Sequence, residues 1–305
     1  MLDVRRLILL HEVALAGSIA AAARRVGYTR SAVSQQMSAL ESEAGRLLMD
    51  RRSNRVRLTD AGRTLVEHTE RILVELRSAQ SALESDDEPI SGLLRIGIPF
   101  REGPRTMSAA LTEVRRRFPE LEVRLTQTRD EAAAEQLRRG ELDMAVVSRL
   151  APAHADQLPG LREWVLGHDP LRLCVPVGHR LAGAEITSIA QLRHETWILS
   201  PTTAIGRLTT ALCQAAGFEP AVAATVDDLA SAMSLVSIGW GVTIAPERTP
   251  EGREGTVSRV PLLGVEAVRH TVLMVRDGEH LARRIATVVA AVRDHSKQRL
   301  DAADA

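Results

Sequence analysis

The most regular pattern of apolar and polar positions lies near the N-terminus. Four apolar residues recur at spacings of three and four: Ile19, Ala22, Ala23 and Val26. This spacing predicts a helix with one buried stripe, and Gly27 ends that helix. The hydroxyl of Thr29 can then cap a second helix, so the pattern predicts two helices joined by a tight turn.

The second predicted helix has an apolar side and a polar side. Its apolar side holds Ala32, Val33, Met37 and Leu40. Its polar side holds Arg30, Ser31, Ser34, Gln35 and Ser38. Arginine and glutamine can bond base edges in pairs, and serine hydroxyls reach phosphates or bases, so this side suits a DNA major groove. The pair therefore predicts a helix-turn-helix, with a helical bundle that does not bind DNA as the alternative.

A basic segment follows at residues 50–58. Ser53 and Asn54 can form a turn between two short arms, which predicts a wing whose Arg52 and Arg55 meet the DNA backbone. From Arg24 to Arg63 nine arginines stand against four acidic residues, a net charge of +5, although the whole chain has 39 basic and 39 acidic residues. Positive charge concentrated in one segment is typical of nucleic-acid binding.

This region resembles the LysR-type transcriptional regulators. The resemblance is carried, in order and nearly without gaps, by residues 18–25, 31–36, 39–41, 45–51 and 58–62. It implies that Ser18 and Thr29 contact DNA together with the polar side of the second helix. Met49 and Ile19 stand where the family commonly has Phe, which affects packing. Residues 28–30 depart from the family on the reading surface, so the operator sequence is not carried over.

A long helix is predicted after the wing, over residues 59–84, about 39 Å in length. A small winged domain cannot bury it alone, and the family resemblance implies that it pairs with the helix of a second copy. The alternative is packing on its own C-terminal domain. The predicted domains are a winged helix-turn-helix at 1–58, a linker and dimerisation helix at 59–88, a regulatory domain at 89–300 and a tail at 301–305.

The regulatory domain alternates strand-like and helix-like segments, which predicts an α/β fold with a parallel sheet. The resemblance implies a two-lobed, periplasmic-binding-protein-like (type 2) effector domain. Lobe I is placed at 89–165 and 266–300 and lobe II at 166–265. The hinges are expected at 165–169 and 260–265.

A ligand in such a fold binds beyond the carboxyl ends of the strands, near helix N-termini. The resemblance implies a cleft lined by Pro99, Phe100, Arg101, Thr126, Thr128, Arg149, Ser200, Thr202 and Thr203. Further charge comes from Glu102 and Arg105. Because guanidinium groups grip carboxylates, we expect an anionic effector such as a carboxylate. Each arginine taken alone is better explained as a solvated loop residue or an interface contact. The glycines of the turn at 239–241 are expected to serve the turn and not a phosphate.

Other chemistry is not indicated by the sequence. The histidines lack His-Glu-x-x-His spacing and no nucleophile motif occurs, so no metal site, catalytic residue or cofactor beyond a small-molecule co-inducer is predicted. No apolar run is long enough to span a membrane and the N-terminus is unlike a signal peptide, so a cytoplasmic protein is expected. The expected partners are double-stranded operator DNA, a small-molecule effector, further copies in a homodimer or homotetramer, and RNA polymerase. The alternatives are a solute-binding protein without DNA function, a redox sensor using Cys174 and Cys213, and a small-molecule enzyme.

Overall fold

The computed structural model describes residues 1–50, 56–83, 89–99, 103–150, 158–251, 253 and 255–301. The contacts divide these residues into two compact units. The first comprises Met1–Val146, Leu158–Glu163 and Leu273–His295, and the second comprises the rest of the chain. The winged part therefore clusters with the first half of the regulatory part.

The N-terminal part, called the head (residues 1–58), is built on three helices. They are α1 (Val4–Ala16), α2 (Ile19–Val26) and α3 (Arg30–Ala44). Ser18 and Thr29 cap α2 and α3 with their side-chain oxygens, and Gly27 ends α2 in the left-handed conformation. Val33, Met37 and Leu40 of α3 are fully buried. The two helices, the cap and the turn predicted from the sequence are confirmed.

The head also holds the base of a wing. Strand β1 (Met49–Asp50) pairs antiparallel with β2 (Arg57–Leu58). The tip that would hold Arg52 and Arg55 lies outside the described residues. No single described helix is long and apolar enough to cross a membrane. The bent pair α1 and α2 passes that test only when taken together, and both helices supply the core of the head.

Helix α4 (Asp60–Ala82) follows the wing. The hydroxyl of Thr59 accepts from the Gly62 N–H at 3.0 Å and donates to the Leu47 carbonyl at 2.8 Å. A Cβ on Gly62 would lie 2.1 Å from the carbonyl oxygen of Leu48, so only glycine lets the first turn of α4 approach this closely. The linker helix is confirmed, although its predicted end at Glu84 lies outside the described residues.

Helix α4 packs against its own chain more than the sequence indicated. It contacts α1 of the head and a 3₁₀ turn, Glu279–Leu281, of the same unit. The alternative of packing on its own C-terminal domain is thus correct for this contact. Leu76 on the helix and Leu83 directly after it are 48% and 86% exposed, which leaves apolar surface for a second copy.

His11 of α1 is a buried titratable group between the head and α4. Its Nε2 lies 3.8 Å from the Glu70 carboxylate. Burial, followed by the positive charges of Arg77 and Arg25, lowers the pKa of His11 to about 4. The unfolded chain therefore binds a proton between pH 6.5 and 4 that the folded chain excludes, so stability falls as the pH falls through this range.

We expect the His11 effect to reach about 3 kcal/mol between pH 7 and pH 4, because each pKa unit corresponds to about 1.36 kcal/mol. Urea unfolding at pH 7 and pH 4 gives the drop in the free energy of unfolding for the wild type and for His11→Gln. The His11 effect is the difference between these two drops. This difference is needed because burial raises the pKa of Glu70, which acts in the opposite direction. Equal losses in both proteins would contradict the prediction.

The regulatory part alternates strands and helices. Its strands are β3 (Gly92–Ile98), β4 (Leu121–Gln127), β5 (Met144–Arg149), β6 (Leu161–Pro176), β7 (Thr196–Leu199), β8 (Ala221–Thr225), β9 (Thr243–Pro246), β10 (Val257–Val260) and β11 (Val268–Arg276). Its helices are α5 (Gly103–Arg117), α6 (Asp130–Arg138), α7 (Ala204–Ala215), α8 (Leu229–Ser237) and α9 (Arg283–Asp301). The predicted α/β class is confirmed.

Strand pairing differs between the two units. In the first unit β3 pairs parallel with β4 and with β5, as predicted. In the second unit β7 and β8 are parallel, but β6 pairs antiparallel with both β9 and β10. The prediction of a parallel sheet is therefore wrong for β6. Strand β10 was not predicted at all, because it is four residues long and carries no clear alternation.

Three of the crossings between the units fall inside strands. They lie between Val146 and Val147 in β5, between Glu163 and Trp164 in β6, beside the predicted hinge at 165–169, and between Val272 and Leu273 in β11. The prediction of a hinge at 260–265 is wrong, because Val260 and Leu262 are buried in the core of the second unit. Strand β6 starts at Leu161 and runs through the predicted hinge at 165–169. Asp169 lies inside this strand, and its carboxylate accepts from the Arg248 N–H at 3.1 Å and from Arg269 at 3.0 Å.

A buried charge cluster holds the first unit together. Asp143, 3% exposed before β5, accepts from the Arg95 backbone N–H at 2.8 Å and from its guanidinium at 3.1 Å. Arg276, at the end of β11, also reaches Asp143 at 3.3 Å. Burial raises the pKa of Asp143, but the Arg95 hydrogen bonds and both guanidinium charges outweigh it and hold that pKa below its usual value. Sequence reasoning did not identify this cluster.

Candidate nucleic-acid interface and effector site

The polar side of α3 forms the candidate reading face. Arg30, Ser31, Gln35 and Ser38 are exposed and Ser34 is half-buried. Directly behind them the buried side chains of α3 fix the helix on the head. The N-terminal end of a recognition helix is the part that contacts base edges, and Arg30 and Ser31 occupy that end. The face therefore has the placement and the chemistry that base reading requires.

Several hydroxyls predicted as DNA contacts make bonds within the head. Ser18 accepts from the Ala21 N–H at 3.1 Å, and Thr29 accepts from the Ala32 N–H at 3.2 Å. The hydroxyls of Thr29 and Ser31 lie 3.0 Å apart, and that of Ser38 donates to the Ser34 carbonyl at 3.1 Å. These bonds orient the helices. Arg30 and Gln35, by contrast, bond no other described residue and remain available to DNA.

The acidic residues of α3 point back into the head. Glu41 accepts from the backbone N–H groups of Leu48 and Met49 at 3.0 and 3.3 Å and so fixes the start of the wing. Glu43 pairs with Arg6 of α1. In the net charge of +5 counted over residues 24–63, both carboxylates are subtracted from the arginines. Both carboxylates are held by groups of the head, and Glu43 has Arg6 as a counter-charge, so they subtract less from the reading face than the count indicated.

Tyr28 is an exposed aromatic residue beside the reading face and was not among the predicted contacts. It is 59% exposed and directly precedes the Thr29 cap of α3. Its N–H donates to the Ala23 carbonyl at 2.9 Å, so its backbone position is fixed. The sequence carried a signal for it, since Tyr28 is the only tyrosine of the chain and departs from the family pattern at the turn.

The predicted effector residues of the first unit lie at the ends of β3 and β4. Pro99 is half-buried after β3, and Thr126 is exposed near the end of β4. Thr128 is buried: its N–H donates to the Ile98 carbonyl at 2.9 Å and its hydroxyl bonds the Gln136 side chain. Phe100, Arg101 and Glu102 lie outside the described residues, as does the side chain of Arg105.

The predicted effector residues of the second unit include a turn that leads into α7. The Thr203 hydroxyl donates to the Ser200 carbonyl at 2.8 Å and accepts from the Gly206 N–H at 3.1 Å. A Cβ on Gly206 would lie 2.0 Å from the Ser200 carbonyl oxygen, so the turn packs directly on the helix. Ser200 is buried and Thr202 exposed, and Arg149 is half-buried at the end of β5.

One arginine near this turn was missed. Arg207 of α7 donates from Nη1 to the Thr202 carbonyl at 2.8 Å. It lies four residues after Thr203, one helical turn along, and this spacing is the signal that could have identified it. The glycines at 239–241 serve the turn, as predicted. Gly239 has φ +81°, and a Cβ on Gly241 would lie 2.5 Å from the Thr196 carbonyl oxygen.

The two cysteines are both fully buried. Cys174 in β6 and Cys213 in α7 belong to different apolar clusters. Burial raises the pKa of Cys174 to about 12 and that of Cys213 to about 11. Both thiols therefore stay protonated at neutral pH. Among the described residues no group of histidines, cysteines and carboxylates could hold a metal ion.

Two family models match this chain. Residues 4–63 match the bacterial regulatory helix-turn-helix protein, lysR family, and residues 87–297, more than half of the chain, match the LysR substrate binding domain. The chain belongs to the LysR family. This LysR-family protein is a DNA-binding transcriptional regulator with an effector-binding domain, as the sequence resemblance implied. The assignment excludes a solute-binding protein without DNA function.

Relatives of this LysR-family protein are themselves named as transcriptional regulators. It is 31% identical over 232 residues to the HTH-type transcriptional regulator ShiR of Corynebacterium glutamicum, covering 75% of this chain and 77% of that one. It is 26% identical over 264 residues to the DNA-binding transcriptional dual regulator OxyR of Escherichia coli, covering 86% and 85%. A full-length OxyR variant from Pseudomonas aeruginosa has the same fold, with a TM-score of 0.62, 18% identity and coverage of 96% and 98%.

Proposed function

We propose that the protein reads an inverted-repeat operator as a homodimer or homotetramer, with Arg30 and Gln35 of each head bonding base edges. The exposed, uncompensated polar side of α3 carries this proposal. Ser31, Ser34 and Ser38 supply shorter contacts, and the wing arginines Arg52 and Arg55 grip phosphates, which position the head without reading sequence. The exposed apolar residues of α4 supply the surface between copies.

Selection of bound duplex fragments by the purified protein tests this proposal. The selection is run at physiological salt, because phosphate contacts make nonspecific binding steeply salt-dependent. We expect enrichment of one inverted repeat with half-sites about one helical turn apart. Uniform binding that weakens with salt and enriches no repeat would contradict specific reading by α3.

Tyr28 is proposed as a further contact at the edge of the reading face. Its ring can meet a thymine methyl group and its hydroxyl can reach a phosphate. We expect Tyr28→Ala to weaken operator binding about tenfold, in the range of one lost contact. Leu47→Ala is the matched control, because Leu47 is an exposed apolar residue of the same head, at the other end of α3. Equal affinities of both variants, measured by fluorescence anisotropy, would contradict a role for Tyr28.

The effector is proposed to be a small anion such as a carboxylate, and no other cofactor is expected. Arg207 supports this proposal, because it places a guanidinium beside Thr202, one of the predicted effector residues. Arg101 and Arg149 remain predicted contacts. RNA polymerase remains a predicted partner. We propose no enzymatic activity, and turnover of a bound metabolite would contradict that.

The redox alternative has one argument in its favour, the similarity to OxyR. The state of the thiols argues against it, because the nucleophile in thiol oxidation is the thiolate, and a thiol with a pKa of about 11 or 12 is almost entirely protonated at neutral pH. We infer that the protein does not sense oxidants through Cys174 and Cys213. Unchanged operator binding of the double variant Cys174→Ala, Cys213→Ala after peroxide treatment, matching that of the treated wild type, would support this inference.

A further inference from the structure

The head and helix α4 behave as one body. The apolar core of the head takes in Leu65, Val66 and Ile72 from α4, and all members of this cluster lie between Leu2 and Ile72. Two contacts between this body and the regulatory residues of the first unit carry the argument. One is a close contact in the C-terminal half of α4, and the other is a polar contact at the end of α2.

The close contact, called the pivot, joins Val74 and Arg77 of α4 to residues 277–279. Arg77 donates to the Asp277 carbonyl at 3.2 Å and lies 3.5 Å from the Glu279 carboxylate. Gly278 has φ +83°, and a Cβ there would lie 2.9 Å from the Val74 carbonyl oxygen. Two backbones therefore touch at this place. Glu279 is held in turn by the buried Arg276.

The polar contact, called the latch, is made by Arg25. Its Nη2 donates to the Arg139 carbonyl at 2.9 Å and lies 3.1 Å from the Glu12 carboxylate of α1. Arg139 is the C-cap of α6, so the guanidinium meets the negative end of that helix. A cavity of about 480 Å³, lined by the latch residues with Ile8, Val26 and Glu141, adjoins the contact. The latch thus lacks the apolar packing that would make it permanent.

We propose that Arg25 is a releasable latch and that residues 277–279 are the pivot about which the head and α4 turn together. The turning of two heads sets their spacing and hence their fit to the two half-sites of an operator. Across the latch contact a partly exposed guanidinium bonds the C-terminal carbonyl of α6, and such a charge–dipole interaction is weak and screened by salt. At the pivot two backbones touch, so the latch opens far more easily than the pivot. The functional consequence rests on the proposed operator reading, whereas the motion itself does not.

A distance measurement within one chain tests the latch. Spin labels are attached through Ser42→Cys on α3 and Arg116→Cys on α5, two exposed positions on either side of the contact. Cys174 and Cys213 stay unlabelled because they are buried and protonated. Labelled chains are diluted with unlabelled chains so that only distances within a chain are recorded. Wild type is expected to give one narrow distribution at low salt, and Arg25→Ala a broader, shifted one.

The neighbouring Arg24→Ala is the matched control, since Arg24 is exposed on the same turn of α2 and bonds no other described residue. High salt should shift the distance distribution of the chain that keeps Arg25 towards that of Arg25→Ala. This comparison tests the latch without a substitution at Arg25. Identical distributions for Arg25→Ala, Arg24→Ala and wild type, at low and high salt, would overturn the latch. Gly278→Ala should shift the mean distance even at low salt, and an unchanged mean would overturn the pivot.

Binding of the labelled chains to duplex DNA is measured in parallel. A protein that enriches an operator but shows no distance change contradicts the latch alone. A protein whose Arg25→Ala variant changes distance, while wild type enriches no operator, supports the latch and contradicts the proposed reading. The two failures are therefore distinguishable.

Discussion

Asp143→Ala is expected to lower the free energy of unfolding by about 3–5 kcal/mol, the usual result of removing one partner from a buried ion pair. Asp143 accepts three hydrogen bonds from Arg95 and a fourth from Arg276. Arg276 is only 8% exposed, and it would lose one of its two carboxylate partners and keep only Glu279. The Arg95 backbone N–H would lose its acceptor as well.

Urea unfolding of the full chain measures the Asp143 effect, followed through the transition of the first unit. Glu122→Ala is the matched control: Glu122 also pairs with an arginine, Arg124 at 2.8 Å, but both side chains are more than half exposed. Such a surface pair contributes about 0–1 kcal/mol. Similar losses for the two variants would mean that Arg276 finds other compensation, from Glu279 or from the carbonyls it already bonds.

The head could be predicted from the sequence because its signals are local. The buried stripe of α2, the Gly27 turn and the Thr29 cap all lie within a few residues of one another. Intrinsic spacing and capping chemistry decide such elements before tertiary contacts do. The wing base and the start of α4 followed for the same reason.

The Asp143 cluster could not be predicted, because its partners come from distant parts of the chain. Asp143 and Arg276 are 133 residues apart in sequence. A single sequence with many arginines gives no rule for pairing them across that distance. The course of β6 through the predicted hinge could not be predicted for a related reason: Asp169 is bonded by Arg248 and Arg269, which are 79 and 100 residues away in the sequence.

The candidate site was predicted by residue type but not by role. Ser18 and Thr29 were expected to contact DNA, and both hydroxyls cap helices. Glu41 and Glu43 were subtracted from the positive charge of the region, although both carboxylates bond groups inside the head. Which polar groups are already satisfied depends on the fold, and this decides which side chains remain for a ligand.

The largest functional effect is expected from the double variant Arg30→Ala, Gln35→Ala. Each side chain can make a bidentate contact with a base edge, and each such contact is worth about 1–3 kcal/mol of discrimination. Since the two residues lie on successive turns of α3 and are proposed to read different bases, their losses should add to about 2–6 kcal/mol on the operator. This corresponds to a weakening of roughly 30-fold to 10⁴-fold.

Binding to random duplex is expected to change little in the double variant, because phosphate contacts supply it. Arg55→Ala provides the contrast, since a wing arginine on the backbone should weaken operator and random duplex alike and reduce the salt dependence of binding. Competition titrations at fixed salt measure both ratios. Arg30 and Gln35 are exposed, so unfolding should change by no more than about 0.5 kcal/mol. Equal losses on both duplexes in the double variant would mean that α3 holds the DNA without reading it.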